Sequence, residues 1–206
     1  MLLRLIVWAV PALLYAVFFF WYTSFGGPLT QEEVERYMSA FEERGGDAEV
    51  LTQVRAFLES DTGNDFIMIN ALHMKDTPDQ VEGVEPGESS DDVMAKYMEY
   101  MWPALLRRAS HPVMFGPAVS NALDVVGIED ARIWNRGAAM RYRSRRDMME
   151  ITTNPAFSGR HDFKTASLEK TIAYPIEDAL TLTDPRVLLF FVLLSVAGVL
   201  NATVRR

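Results

Sequence analysis

Hydrophobic and polar positions divide this chain into three zones. Residues 5–22 and 187–204 are uncharged and strongly apolar, and every acidic residue lies between them. A helix needs about 18 to 20 apolar residues to cross a hydrocarbon core roughly 30 Å thick, so each end predicts a membrane-spanning helix. In the first run Trp21 and Tyr22 sit at the far end, where amphipathic rings favour the headgroup layer. Phe18, Phe19, Phe20, Trp21 and Tyr22 are bulkier than the small residues of a signal-peptide cleavage site, which predicts a retained anchor. Ser195 and Gly198 in the second run would permit close approach of another helix, although ordinary lipid-facing sequence is the preferred account of them.

The middle zone begins with helical periodicity. After Gly26-Gly27-Pro28, Thr30 followed by Glu33 reads as a capping box, and Val34, Tyr37, Met38 and Phe41 recur at helical spacing up to Gly45-Gly46. Val50, Leu51, Val54, Phe57 and Leu58 form a second stripe, closed by Thr62-Gly63, which predicts a helical hairpin. Residues 66–74 are too continuously apolar for a one-sided strand and suit one covered on both faces. An acidic loop follows over residues 75–89, expected to be solvated and able to act as a lid. Ser90 is expected to cap a helix, Pro103 to start a second helical piece, and residues 113–119 and 131–142 to form strands, with Gly137 as a candidate bulge. Ser144 caps the next helix and Asn154-Pro155 breaks it. Another helix is expected from about 159 to 169, then a short strand over 171–176. The order after residue 64 is strand, helix, strand, strand, helix, strand, the split βαβ arrangement of a ferredoxin-like α+β sandwich. The expected divisions are a transmembrane helix over 1–25, the hairpin over 26–63, the α+β domain over 64–180 and a second transmembrane helix over 185–204.

Charge refines this picture. The chain of 206 residues carries a formal net charge of −8, and the zone between the spans, with 17 basic and 28 acidic residues, carries −11. Nucleic acid is thereby disfavoured as a partner, since the domain would repel phosphate and no recognition motif is present. Arg4 precedes the first span and Arg205 and Arg206 follow the second, so both tails are expected in the cytoplasm and the domain outside it. The chain lacks cysteine, which removes disulfides and thiolate metal sites.

The run Tyr142-Arg143-Ser144-Arg145-Arg146-Asp147-Met148-Met149, followed by Asn154-Pro155-Ala156-Phe157 and His161, resembles the dimeric α/β-barrel superfamily. The closest flavour is that of its small families of unknown function. The antibiotic-biosynthesis-type and haem-degrading monooxygenases are more distant. The resemblance covers about residues 65–176 and implies two sheets packed face to face across a homodimer. Haem-degrading members pair an Asn on the first strand with a Trp and, ten residues later, a His. Asn70 and His161 match two of these, but Ile151 stands at the Trp position, so haem is compatible with the pattern only in part and no cofactor is expected outright.

The candidate catalytic residues are therefore His161, an imidazole that titrates nearest neutral pH, and Asn70, a polar residue in an apolar strand whose amide needs a partner or a ligand. A cluster of arginines (132, 136, 141, 143, 145 and 146) interleaves with Trp134 and Tyr142. Guanidinium groups bind carboxylate or phosphate bidentately and stack on rings, so Arg136, Trp134, Tyr142 and Arg141 are candidate ligand-binding residues. Ion pairing with the acidic surface is the plainer account of the same cluster. Strand alternation puts Arg132, Trp134, Arg136 and Tyr142 on one face and Arg141 and Arg143 on the other. Met94, Met98, Met101, Met148 and Met149 read as adaptable core packing, and no metal-binding motif is present. Two functions remain open: a membrane-anchored binding or accessory module in a homodimer or membrane-protein complex, or a monooxygenase-like enzyme acting on an aromatic or lipid substrate.

Overall fold

The structure is a computed structural model that describes residues 2–157, 159–177 and 183–204. The expected domain end at residue 180 and the tail arginines 205 and 206 lie outside the described residues. The elements in chain order are α1 (Leu2–Tyr22), α2 (Gln31–Glu42), α3 (Ala48–Glu59), β1 (Phe66–Met74), α4 (Ser90–Arg107), β2 (His111–Pro117), β3 (Arg136–Tyr142), α5 (Arg145–Thr152), a 3-10 turn (Pro155–Phe157), α6 (His161–Ser167), β4 (Leu168–Ile176) and α7 (Pro185–Val204). They group into two compact units, Met1–Phe25 with Asp178–Arg206, and Gly26–Glu177.

In the first unit α1 and α7 lie against each other, with Tyr15 and Phe190 meeting edge to face at 5.6 Å and Ala197 buried. Arg186 pairs with Asp184 at 2.6 Å and places its guanidinium over the Tyr22 ring. Most of the remaining large apolar side chains of both helices are exposed, and both helices are long and apolar enough to cross a membrane.

The second unit is α+β. Its four strands form one antiparallel sheet in the order β2-β3-β1-β4, with Phe66 opposite Tyr142 and Leu72 opposite Arg136. This order, with helices between β1 and β2 and between β3 and β4, is compatible with a ferredoxin-like fold. Phe66, Met101, Leu105, Tyr142 and Ile151 form a buried cluster between the sheet and α4 and α5. Phe66 stacks on Tyr142 and meets Phe57 edge to face.

Several local expectations are revised. Ser89, not Ser90, caps α4, because its hydroxyl accepts from the Asp92 amide while the Asp92 carboxylate accepts from the Ser89 amide. Pro103 does not restart the helix. It lies on the exposed side, where the Glu99 carbonyl that lacks its i+4 donor can be solvated, so α4 runs through it. β3 begins only at Arg136, because the Asn135 side chain already holds the Met74 backbone from both sides. Irregularities fall at His73/Met74 and Pro112/Met114 rather than at Gly137. α6 ends at Ser167, and β4 is correspondingly longer than expected. Val50 is exposed and does not belong to the α3 stripe. The acidic loop after β1 is pinned: Val81 and Val84 pack on Val93 and Phe163, and Lys96 binds Glu88 at 2.6 Å and the Gly83 carbonyl at 2.7 Å. Helices cover β1 on one face; on the other Ile67 is buried while Ile69, Ala71 and His73 are half-buried. Met68, Asn70 and Leu72 face the helices, while Ile69 and Ala71 adjoin Ile172, Tyr174 and Ile176 of β4, which stay exposed.

The arginines after β3 attach the α2–α3 hairpin to the sheet. Arg145 is buried; it donates to the Phe57 carbonyl and to Ser60 Oγ, stacks over the Phe57 ring and pairs with Asp61 at 3.4 Å. The Asp61 side chain, 3% exposed, also accepts from the Leu29 amide at 2.8 Å and the Gly63 amide at 3.1 Å. Gly63 has φ +80°, and a Cβ there would come within 2.6 Å of the Gly27 backbone, so only glycine suits this crossing. Arg146 binds Glu33 at 2.6 Å and the carbonyls of Gly27 and Pro28. Gly27 and Pro28 are thereby fixed to α5. Beyond it Val34, Tyr37, Met38 and Leu58 close over Met149. Replacing Asp61 with alanine leaves the buried Arg145 guanidinium only the half-exposed Glu177 carboxylate at 3.5 Å, removes the acceptor of two backbone amides, and is expected to lower stability by about 3–5 kcal/mol. Denaturant unfolding of the full chain in detergent checks this, and a loss below about 1 kcal/mol would contradict the role given to the aspartate.

Candidate functional site

Alternation along β1 and β3 sends Met68, Asn70, Ala138, Met140 and Tyr142 to the helix side of the sheet. Helical spacing along α4 sends Met94, Tyr97, Met98 and Met101 down to meet them. The two sets do not close completely. They leave a cavity of about 600 Å³, ended on one side by His161 and Lys164 of α6. A wider depression of about 1310 Å³ joins it, sharing Met68, Tyr97, Met101, Met148 and His161, and opens between the α2–α3 hairpin and the end of β4. The methionines pack against the core clusters, as expected, and four of them, Met94, Met98, Met101 and Met148, also form cavity wall. Their unbranched, polarisable side chains suit a surface that adapts to an occupant.

The expected site residues separate into two groups. His161, Asn70, Tyr142 and Arg136 all line the cavity. Trp134 and Arg141 do not. Trp134 precedes β3, donates its indole N–H to the Ala131 carbonyl at 2.7 Å and lies under the Lys170 ammonium. Arg141 points to the opposite sheet face, where it is buried against Asp65 at 2.8 Å and the Ala109 carbonyl at 2.7 Å. Arg136 reaches the rim but is held by both oxygens of Asp91, at 2.5 and 2.6 Å. With Arg143 on Asp147, Arg145 on Asp61 and Arg146 on Glu33, the arginine cluster is chiefly a set of ion pairs. His73 lies on the far face of β1, and its Nδ1 is buried without a hydrogen-bond partner.

Asn70 donates to the Met68 carbonyl at 3.0 Å and the Ala138 carbonyl at 3.5 Å, so its amide group is held in place at the cavity floor. His161 meets the Tyr97 ring edge-on at 6.3 Å. Desolvation and the neighbouring Lys164 ammonium push the His161 pKa down, so the ring is neutral at pH 7. Desolvation also pushes Lys164 down, raises Tyr97 to about 12 and raises Tyr142 further. Lys164 and Tyr97 were not singled out in the sequence. The signal for Lys164 was its i+3 spacing from His161, which puts both on one helix face; Tyr97 lay within a periodic apolar stripe that reads as core.

Haem is the group implied by the more distant relatives. His161 offers an imidazole, but the position of the expected indole is Ile151, wholly buried in the core. The residues present do not supply the haem-degrading set, and no step is derived through haem. Among the described residues no group of three or more His, Asp or Glu is placed to hold a metal ion.

No family model matches the chain, and no curated protein matches it. Solved structures do. The methylated protein RPA0582 matches with 19% identity and a TM-score of 0.53, over 66% of this chain and 93% of that one. A second structure of RPA0582, a protein of unknown function from Rhodopseudomonas palustris, gives 19% identity and a TM-score of 0.51 over 66% and 96%. A dimeric protein of unknown function and ferredoxin-like fold from Bacteroides fragilis gives 14% identity and a TM-score of 0.32 over 55% and 96%. The RPA0582 likeness supports the α+β fold and carries no activity with it.

His161 is expected to titrate below its ordinary value of 6.5. Replacing Lys164 with methionine removes the adjacent positive charge and should move that titration upward, as read from the histidine ring proton shifts in NMR. An unchanged titration would show that the two side chains do not face each other.

Proposed function

We propose that this protein is a membrane-anchored binding module whose methionine-lined cavity takes a small hydrophobic ligand. The observation that carries this reading is the cavity itself. It is a concave, mostly apolar space of about 600 Å³, with the Asp91–Arg136 pair at its rim and a few polar groups, among them Asn70, Tyr97, Tyr142, His161 and Lys164, on its wall. Two apolar helices flank the unit in sequence and would hold it at a bilayer, which raises its encounter rate with lipid-phase ligands or membrane partners. Pairing with a second copy through the open sheet face, where Ile172, Tyr174, Ile176 and Met114 are exposed, would bury an apolar surface that the single chain leaves in water.

A second reading is favoured by one observation: Asn70 and His161 line the same apolar cavity. In a monooxygenase-like enzyme acting on an aromatic or lipid substrate, neutral His161 would accept a proton and the fixed Asn70 amide would orient a polar group. The binding reading requires less of the site, because it needs no reacting group beyond those that hold the ligand.

The full chain is expected to stay with membranes through a carbonate wash. In non-ionic detergent it should bind 2-naphthylmethanol, and Met98→Trp, which fills the space under α4, should weaken binding at least about tenfold, equivalent to about 1.4 kcal/mol. Binding that survives Met98→Trp unchanged, or release of the chain by carbonate, would refute the corresponding half of the proposal.

A further inference from the structure

Resting on the reading of the cavity as a ligand site, we infer that Lys164 is its recognition group and that the ligand is a small apolar carboxylate. The ligand's hydrocarbon body would lie among the α4 methionines and its carboxylate on the lysine ammonium. The argument begins with the charges on the cavity wall. Asp91 and Arg136 satisfy each other at the rim. Among the described residues Lys164 makes no ion pair and no side-chain hydrogen bond, although most of the other basic side chains of the folded unit have a carboxylate or carbonyl. Its surroundings are desolvated, which depresses its pKa.

An ammonium held in apolar surroundings without a counter-charge is unfavourable, and an anion brought by a ligand relieves that cost. The other wall groups define which anion. Burial and the adjacent lysine favour the neutral His161 ring, and Tyr97 and Tyr142 stay protonated, so the ammonium of Lys164 is the one unpaired positive group among the described residues of the wall. A monoanion matches one ammonium. A phosphate dianion calls for several donors or the planar fork of an arginine, and Arg136, the one arginine among the described residues of the cavity wall, is already bound to Asp91. A cationic ligand would be repelled. The remaining wall, with Met68, Met94, Met98, Met101 and Leu105, gives a hydrocarbon or aryl body its place.

The test compares two probes of nearly equal shape, 2-naphthoate and 2-naphthylmethanol, binding to the full chain in non-ionic detergent at pH 7 by calorimetry. Micelles absorb the alcohol more readily than the anion, which lowers its free concentration and favours the predicted result, so the affinities compared are those corrected for each probe's partition into protein-free micelles. Naphthoate is expected to bind at least tenfold more tightly. Lys164→Arg should retain the preference, and Lys164→Met should bring the ratio of affinities close to one. Equal affinities in the unsubstituted protein, or a preference that survives Lys164→Met, would overturn the inference while leaving the cavity a binding site. Binding of neither probe would overturn the inference and the binding reading together.

Discussion

The buried ion pair between Arg145 and Asp61 is the constraint on which the folded unit depends. It brings together four backbone segments: the entry to the α2–α3 hairpin at Leu29, the end of α3 at Phe57 and Ser60, the crossing at Gly63, and the start of α5. A buried pair of this kind adds little to stability over a well-packed apolar alternative, but losing one partner is costly, so it specifies which segments meet. Because α5 is held there, Met148 and Thr152 stand at the junction of the two depressions beneath α4. The cavity is therefore shaped by an ionic knot outside it. An apolar core alone would be free to collapse and fill the space.

Polarity pattern and local capping rules made much of this legible in the sequence. The Thr30–Glu33 box, the Ser144 cap and the strand–helix order all depend on residues close together in the chain, and the structure shows each of them. Where expectation and structure part, the deciding contact is distant in sequence. Asn135 ends the loop before β3 by binding Met74, 61 residues away, and the acidic loop after β1 is pinned through Phe163. Pro103 was read as a break because its chemistry forbids a hydrogen bond; whether the orphaned carbonyl faces water is settled by tertiary packing.

The candidate site was partly legible for the same reason. Alternation on a regular strand correctly separated Arg136 and Tyr142 from Arg141, and helical spacing joins His161 to Lys164. Alternation could not reach Trp134, since the strand had not yet begun there. Nor could it show that five of the arginines are occupied by carboxylates already. The methionines were the least legible, because a side chain that packs a core and one that lines a cavity have the same periodicity. The open face of the sheet is the counterpart of that difficulty. The continuous apolar run of β1 predicts cover on both faces, and the helices of a single chain cover one.

That face and the cavity together make the central claim, a ligand-binding unit completed by a second copy at a membrane. Native mass spectrometry of the full chain, released from membranes in mild detergent, tests it most directly. The account predicts a dimer whose mass includes one small bound molecule per chain. A bare monomer at all concentrations would contradict it.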